Sequence, residues 1–523
     1  MSTPLLTYLI VTPLAAALLA LVWPSAQTRF LKWFALASSL IQLALVAMVF
    51  LAYHVDSTGI QLVERISWIE FSLGSWGTFR AEYLLGVDGL SLPLVALSVV
   101  VMLVAVIASW HTTHQAKGYF VLLLILNAAV IGSFTALDML LFYLFFEFML
   151  LPMYFLIGIW GGPNREYASI KFFLYTLLGS IFILIVIIGL YLCSSVPNGD
   201  GAIHTFSLIE LTAGKLEPGS LLYIDNSWQW AGYNARAWAF LLLFVGFAIK
   251  LPMVPLHTWL PDAHVEASTP ISVILAALLL KIGAYGLLRM AYPLFPEAAV
   301  QFSELVAFMG MLSILYGAMN ALASKDLKRL IAYSSVSHMG FVLLGMAAGT
   351  TEALSGAMFQ LTSHGLISAM LFLVAGVLYD RTHDRLIGNY SGLASKMPRY
   401  TAIVLIAFLA TMGLPGFSGF IGEVMVFLGS FRSSLVPTWI TALAVGGLIL
   451  SAAYCLWLIQ RMFFGVFTQK SEGELTDLSS RELFLFIVLG IGVVTLGVFP
   501  QLLIQYVSAA ANTLSSQVHQ FLP

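Results

Sequence analysis

Four ionisable residues stand inside stretches otherwise built for hydrocarbon. Glu147 lies in LLFYLFFEFMLLPMYF, Lys250 closes the run GFAIK, Lys281 lies in ILAALLLKIGAYGLLR, and Glu423 ends MGLPGFSGFIGE. A fifth, Asp88 in LLGVDGLSLP, falls near the start of its apolar run, where a helix N-terminus favours an acid. A charge near the centre of a membrane helix costs about 2.5–3.5 kcal/mol, so such residues face a protein interior or a water-filled cavity. The chemistry open to carboxylates and amines in that setting is proton exchange. A carboxylate about 4 Å from an ammonium contributes roughly 4 kcal/mol at an effective dielectric of 20. Moving Glu147 by a few ångströms would therefore decide whether Lys250, the buried cation available to it, keeps its proton. A static structural ion pair is the plainer alternative.

Two histidines extend the set. His338, in AYSSVSHMGF, and His364, in FQLTSHGLIS, lie in apolar runs between Lys281 and Glu423 in chain order. An imidazole exchanges protons near neutral pH, so both are candidate relay groups; a lone buried histidine is otherwise a satisfied packing residue. His257 and His264 follow Lys250 closely and serve as entry or structural groups. Cys193 and Cys455 are the two cysteines of the chain, too few for an iron–sulfur cluster and without zinc-ligand spacing. No metal site is expected.

The elements that must hold these groups are membrane helices. The chain has 523 residues, 60% of them hydrophobic and 9% charged, against about a quarter charged in soluble domains. The net charge of −2 gives no reason to expect nucleic acid. Apolar runs long enough to span a bilayer, roughly 20 residues each, occur near 5–23, 30–53, 84–109, 118–135, 137–160, 168–194, 237–258, 268–292, 302–322, 328–349, 354–379, 400–430, 437–465 and 482–508. This predicts an all-α membrane protein of about fourteen spans, the first an uncleaved helix rather than a signal peptide. Alternating the loops puts fifteen lysines and arginines on the side of Arg29 and Lys32 and six opposite, among them Arg65, Arg80, Arg236 and Arg289. The richer side is cytoplasmic by the positive-inside rule. Both termini then lie on the non-cytoplasmic side.

Two spans are broken in sequence. Pro252 and Pro255 follow Lys250, and Gly413, Pro415, Gly416, Gly419 and Gly422 precede Glu423. Interrupted helices at matching places in two halves point to inverted repeats. The expected organisation is residues 1–117 with spans one to three, a first repeat over 118–292 (spans four to eight, break near 250–255), and a second over 302–465 (spans nine to thirteen, break near 413–422). Residues 466–523 hold span fourteen and a tail.

The stretches IKLPMVPLHTWLPDAHVEASTPISVILAALLLKIGAYGLLR, LKRLIAYSSVSHMGF and NREYASIKFFLYTL are familiar together. They resemble the antiporter-like, proton-pumping subunits of respiratory complex I, NADH-quinone oxidoreductase, and the likeness runs over nearly the whole chain. The acid at Glu423 fits one branch of that family, because sister subunits carry lysine there. The resemblance implies that Glu147 and Lys250 form the input pair. It makes Lys281 the central lysine, His338 and His364 bridging groups, and Glu423 the terminal carboxyl. It implies no cofactor on this chain, with NADH, FMN, iron–sulfur clusters and quinone on other subunits. Expected partners are neighbouring antiporter-like subunits and the lipid bilayer of a bacterial inner membrane. A subunit of a Mrp-type cation/proton antiporter or of a membrane-bound hydrogenase is the rival expectation.

Overall fold

The structure is a computed structural model that describes residues 4–522 apart from 26, 56, 58, 73–77, 199–200 and 471–472. Twelve continuous helices among the described residues are long and apolar enough to cross a membrane. Two expected spans are missing from that set, and they are the two read as broken. The first is a helix at Ala235–Lys250, an irregular stretch, and a helix at Trp259–Glu266. The second is a helix at Pro398–Thr411, a turn, and a helix at Ser418–Arg432. With these the number of crossings is about fourteen.

Broken helices leave backbone groups that a membrane interior cannot hydrate. Here protein groups take them up. The Trp259 indole N–H donates to the Ile249 carbonyl at 2.8 Å, and Ser313 Oγ accepts from Val254 N at 3.1 Å. In the second break Gly413 and Gly416 adopt left-handed φ of 74° and 100°, a conformation glycine enters without steric penalty. The glycine spacing therefore divides by role: two glycines turn the chain, while Gly419 and Gly422 lie within the following helix.

The helix from Thr269 to Leu294, buried over most of its length, is not a regular α-helix. Lys281 sits on an α-helical turn between π-helical turns at Leu275–Leu279 and Leu287–Ala291. The Lys281 helix packs against the helix Thr351–Thr382, which carries His364, and that helix packs in turn on Leu327–Ala348, which carries His338.

Two boundaries differ from expectation. The third crossing starts at Ser91 rather than 84, because Thr78–Val87 pairs antiparallel with Gln61–Ser72 in a β-hairpin. That hairpin and three shorter two-stranded pairs, one of them joining Tyr390–Ser391 to Thr468–Gln469, qualify the all-α reading without adding a layer. The run at 482–508 is two helices, Ser480–Val498 and Gln501–His519, parted at Phe499–Pro500. Two cations assigned to loops are buried: Arg236 is 8% exposed in the first turn of the Ala235–Lys250 helix, and Lys328 is 2% exposed in the first turn of the His338 helix; Arg289 lies within the Thr269–Leu294 helix.

Candidate functional site

Four of the six candidate residues form one row through the centre of the protein. Lys281, 0% exposed, donates to the Ala276 carbonyl at 2.6 Å and lies 2.7 Å from His364 Nδ1. The His364 and His338 rings are 5.5 Å apart between centroids. His338 Nδ1 is 3.3 Å from Glu423 Oε1. Gln360 Nε2 approaches the same ring nitrogen at 3.4 Å. The Lys281–His364 contact holds one proton in either charge state. A charged Lys281 needs Nδ1 as acceptor, and a neutral one can accept from Nδ1–H. Beside the rings lies a small cavity walled by Ser334, His338, Gln360, His364, Thr411 and Gly419.

Glycines set these distances. A Cβ on Gly413 would collide with Glu423 Oε2, and one on Gly422 with Gln360 Oε1. A Cβ on Gly283 would meet Leu251 N and Phe247 O at 2.7 Å each and Lys250 C at 3.1 Å. Gly283 thus seats the end of the broken helix, with Lys250 as its last residue, directly against the helix of Lys281. A cation at a helix C-terminus also faces the negative end of the helix dipole.

Glu147 and Lys250 are arranged differently. Lys250 Nζ donates to the Phe146 carbonyl at 3.3 Å and packs 3.3 Å from the centroid of the Phe146 ring. No ion pair within 4.0 Å engages Lys250, Lys281 or Glu147 among the described residues. Glu147 is half-buried, and its Oε1 finds no hydrogen-bond partner among the described residues. The expected contact is open in this structure, with the Phe146 ring and carbonyl occupying the ammonium. Glu147 is held on its helix by an N-cap nine residues upstream. There Asp138 accepts from Leu141 N at 3.0 Å and from Glu82 N at 3.1 Å.

Other largely buried ionisable groups lie outside the row: Asp88 and His264, which the sequence had marked, and Arg289, Lys328 and the Arg236–Glu297 pair, which it had not. Asp88 pairs with Arg289 at 2.5 Å, both side chains about one-eighth exposed. Lys328 Nζ donates to the Ala267 carbonyl at 2.7 Å. Arg236 pairs with Glu297. His264 is fully buried, stacked on Phe372 at 4.3 Å, with neither ring nitrogen bonded. Only Arg289 left a usable signal: Lys281, Tyr285 and Arg289 recur every fourth residue, which continues one helix face.

A bundle with two interrupted helices and a buried amine–imidazole–carboxylate row defines a class of ion-translocating membrane subunits. Residues 136–451 match the family described as NADH:quinone oxidoreductase/Mrp antiporter, transmembrane, and the chain belongs to that family. NADH-quinone oxidoreductase subunit M of Rhodobacter capsulatus is 40% identical over 98% of this chain and 97% of its own length. NAD(P)H-quinone oxidoreductase chain 4 1 of Synechococcus elongatus is 43% identical over 99% of this chain and 93% of its own. These relatives put the chain in the subunit M branch. A chain of respiratory complex I from Thermus thermophilus superposes with a TM-score of 0.81 at 31% identity, covering 98% of this chain and 99% of that one. A chain of the Mrp complex from Dietzia sp. DQ12-45-1b also gives 0.81, at 21% identity over 100% and 99%, which shows the shared fold alone.

Proposed function

We propose that this chain is a proton-translocating membrane subunit of NADH-quinone oxidoreductase in which protons move along Glu147, Lys250, Lys281, His364, His338 and Glu423. The observation that carries the reading is the row from Lys281 to Glu423, closed at 2.7 Å at one end and 3.3 Å at the other, with the two rings between. Every member can both take and give a proton, and all four are at least 95% buried. Groups of this kind in a protein interior mark ion pathways rather than packing. Glu147 and Lys250 are the input pair, open here and closed when the carboxylate displaces the Phe146 contact. Glu423 is the terminal acid.

The chain carries the translocation step, while NADH, FMN, iron–sulfur clusters and quinone belong to other subunits of the complex. Its partners are membrane subunits, neighbouring antiporter-like chains above all. It resides in a bacterial inner membrane with both termini on the non-cytoplasmic side, as the lysine and arginine asymmetry of the loops argues. Its core consists of two inverted five-helix repeats, 118–292 and 302–465, each with one broken helix. Relatives near 40% identity over the full chain favour this assignment over a Mrp-type antiporter.

The test replaces Lys281 with Met in the intact complex reconstituted into vesicles. NADH-driven proton uptake falls while the complex assembles and still oxidises NADH with an artificial acceptor. An assembled K281M complex that pumps at the wild-type ratio of protons to electrons sinks the reading.

A further inference from the structure

Lys281 has a second polar line leading away from it, one that the lateral row does not use. Tyr285 and Arg289 follow on the same face of its helix, and Arg289 ends at a cleft of about 260 Å³. The cleft is lined by Asp88, Arg289, Leu288, Met358, Thr513 and Gln517. Along this face the contacts are short. The Tyr285 hydroxyl donates to the Phe134 carbonyl at 3.0 Å and accepts from Arg289 Nε at 3.1 Å; Arg289 Nη2 donates to Asp88 Oδ1 at 2.5 Å. Asp88 is fixed in turn by Leu90 N and Ser91 N, each at 3.1 Å. A Cβ on Gly89 would collide with the Tyr506 carbonyl, so the Gln501–His519 helix lies directly on this turn.

A guanidinium does not release its proton at any physiological pH. Fixed positive charge also repels protons and other cations from a pore. Placed between Lys281 and the cleft, Arg289 can neither relay a proton nor admit one. We infer that the Arg289–Asp88 pair is a proton-tight seal, closing the hairpin side of the membrane beneath Lys281 so that its proton leaves only through His364. The inference rests on Lys281 being a proton carrier. Asp88 locks the guanidinium across the cleft floor, and Tyr285 spends its hydroxyl on a backbone carbonyl, which leaves no continuous donor–acceptor path.

The experiment uses the intact complex in vesicles carrying an entrapped pH-sensitive dye, without NADH, under a valinomycin–potassium diffusion potential. D88N removes the lock; R289K keeps a cation able to pair with Asp88 but one that can shed its proton. D88N is expected to raise passive proton entry several-fold, with chloride permeability and uncoupled quinone reduction unchanged. R289K is expected to give a smaller rise, and it decides the matter if D88N fails to assemble. An assembled variant of either kind that leaks no more than wild type overturns the seal. Failure of the underlying reading looks different, because then assembled K281M vesicles given NADH and quinone pump at the wild-type ratio of protons to electrons.

Discussion

Gly283→Ala tests whether the contact between the two lysine-bearing helices matters as a distance. The added Cβ would stand 2.7 Å from Leu251 N and from Phe247 O, where ordinary contact begins at 3.4 Å. Both atoms are backbone, so neither can rotate aside. The end of the broken helix must therefore retreat by roughly 0.7 Å, in an interior packed as densely as an organic crystal. Overpacking of this kind costs about 1–3 kcal/mol, a factor of about 5 to 150 in any local equilibrium that requires the helices to touch. The strain falls beside Lys250 and two residues from Lys281. The variant is expected to assemble, to oxidise NADH with an artificial acceptor at the wild-type rate, and to lose most coupled proton uptake in reconstituted vesicles. Gly283→Ser, with a similar Cβ, should behave alike. If assembled G283A retains the wild-type proton-to-electron ratio and rate, the close approach at Gly283 has no part in transfer and the argument from geometry fails.

Lys250→Ala should also abolish coupled pumping while leaving assembly intact, read by the same vesicle assay beside a native gel; full pumping would remove Lys250 from the pathway. Asp138→Ala withdraws the N-cap of the Glu147 helix, a loss of about 1–2 kcal/mol. It should lower the temperature at which the detergent-solubilised complex loses this subunit, with Asp138→Asn falling between. Trp259→Phe orphans the Ile249 carbonyl at the first break, a cost of about 1–3 kcal/mol for an unmet buried acceptor. Its heat-series midpoint should drop without a change in the pumping ratio, and no drop would mean that the break is satisfied by other means.

What could be read from the chain was whatever depends on neighbours in sequence. Pro252 and Pro255 lack an N–H, and Gly413 and Gly416 invite a left-handed backbone, so both breaks were visible before any contact was known. The β-hairpin was not. Its first strand, QLVERISWIEFS, should alternate, but register shifts between Gln61 and Glu64 and between Ser67 and Ile69 destroy the period of two. The π-helical turns around Lys281 left no mark either, since the first is wholly apolar and the second is apolar apart from Arg289. Arg289 looked like a loop charge because its partner, Asp88, is 201 positions away. The order of the central row was legible only as a set of residue types. That His364 rather than His338 meets Lys281 depends on how two long helices pack.

The two ends of the site differ in how firmly their groups are held, and that difference assigns the moving part. Lys281, itself fully buried, makes two short contacts on a helix where it stands between two π-helical turns. Lys250 makes one longer hydrogen bond, to a carbonyl at 3.3 Å, and ends a helix that stops at the next residue. Glu147 keeps an oxygen unbonded. A helix end released by a break can shift by small rotations in the residues that follow it, which a residue in mid-helix cannot do. On the proposed pathway, the first break is thus the end of the site where partners can exchange, and the central row is the end that is held in place. The second break serves a different purpose. Gly413 clears the space that the Glu423 carboxylate fills, so there the interrupted backbone makes room for a group instead of freeing one.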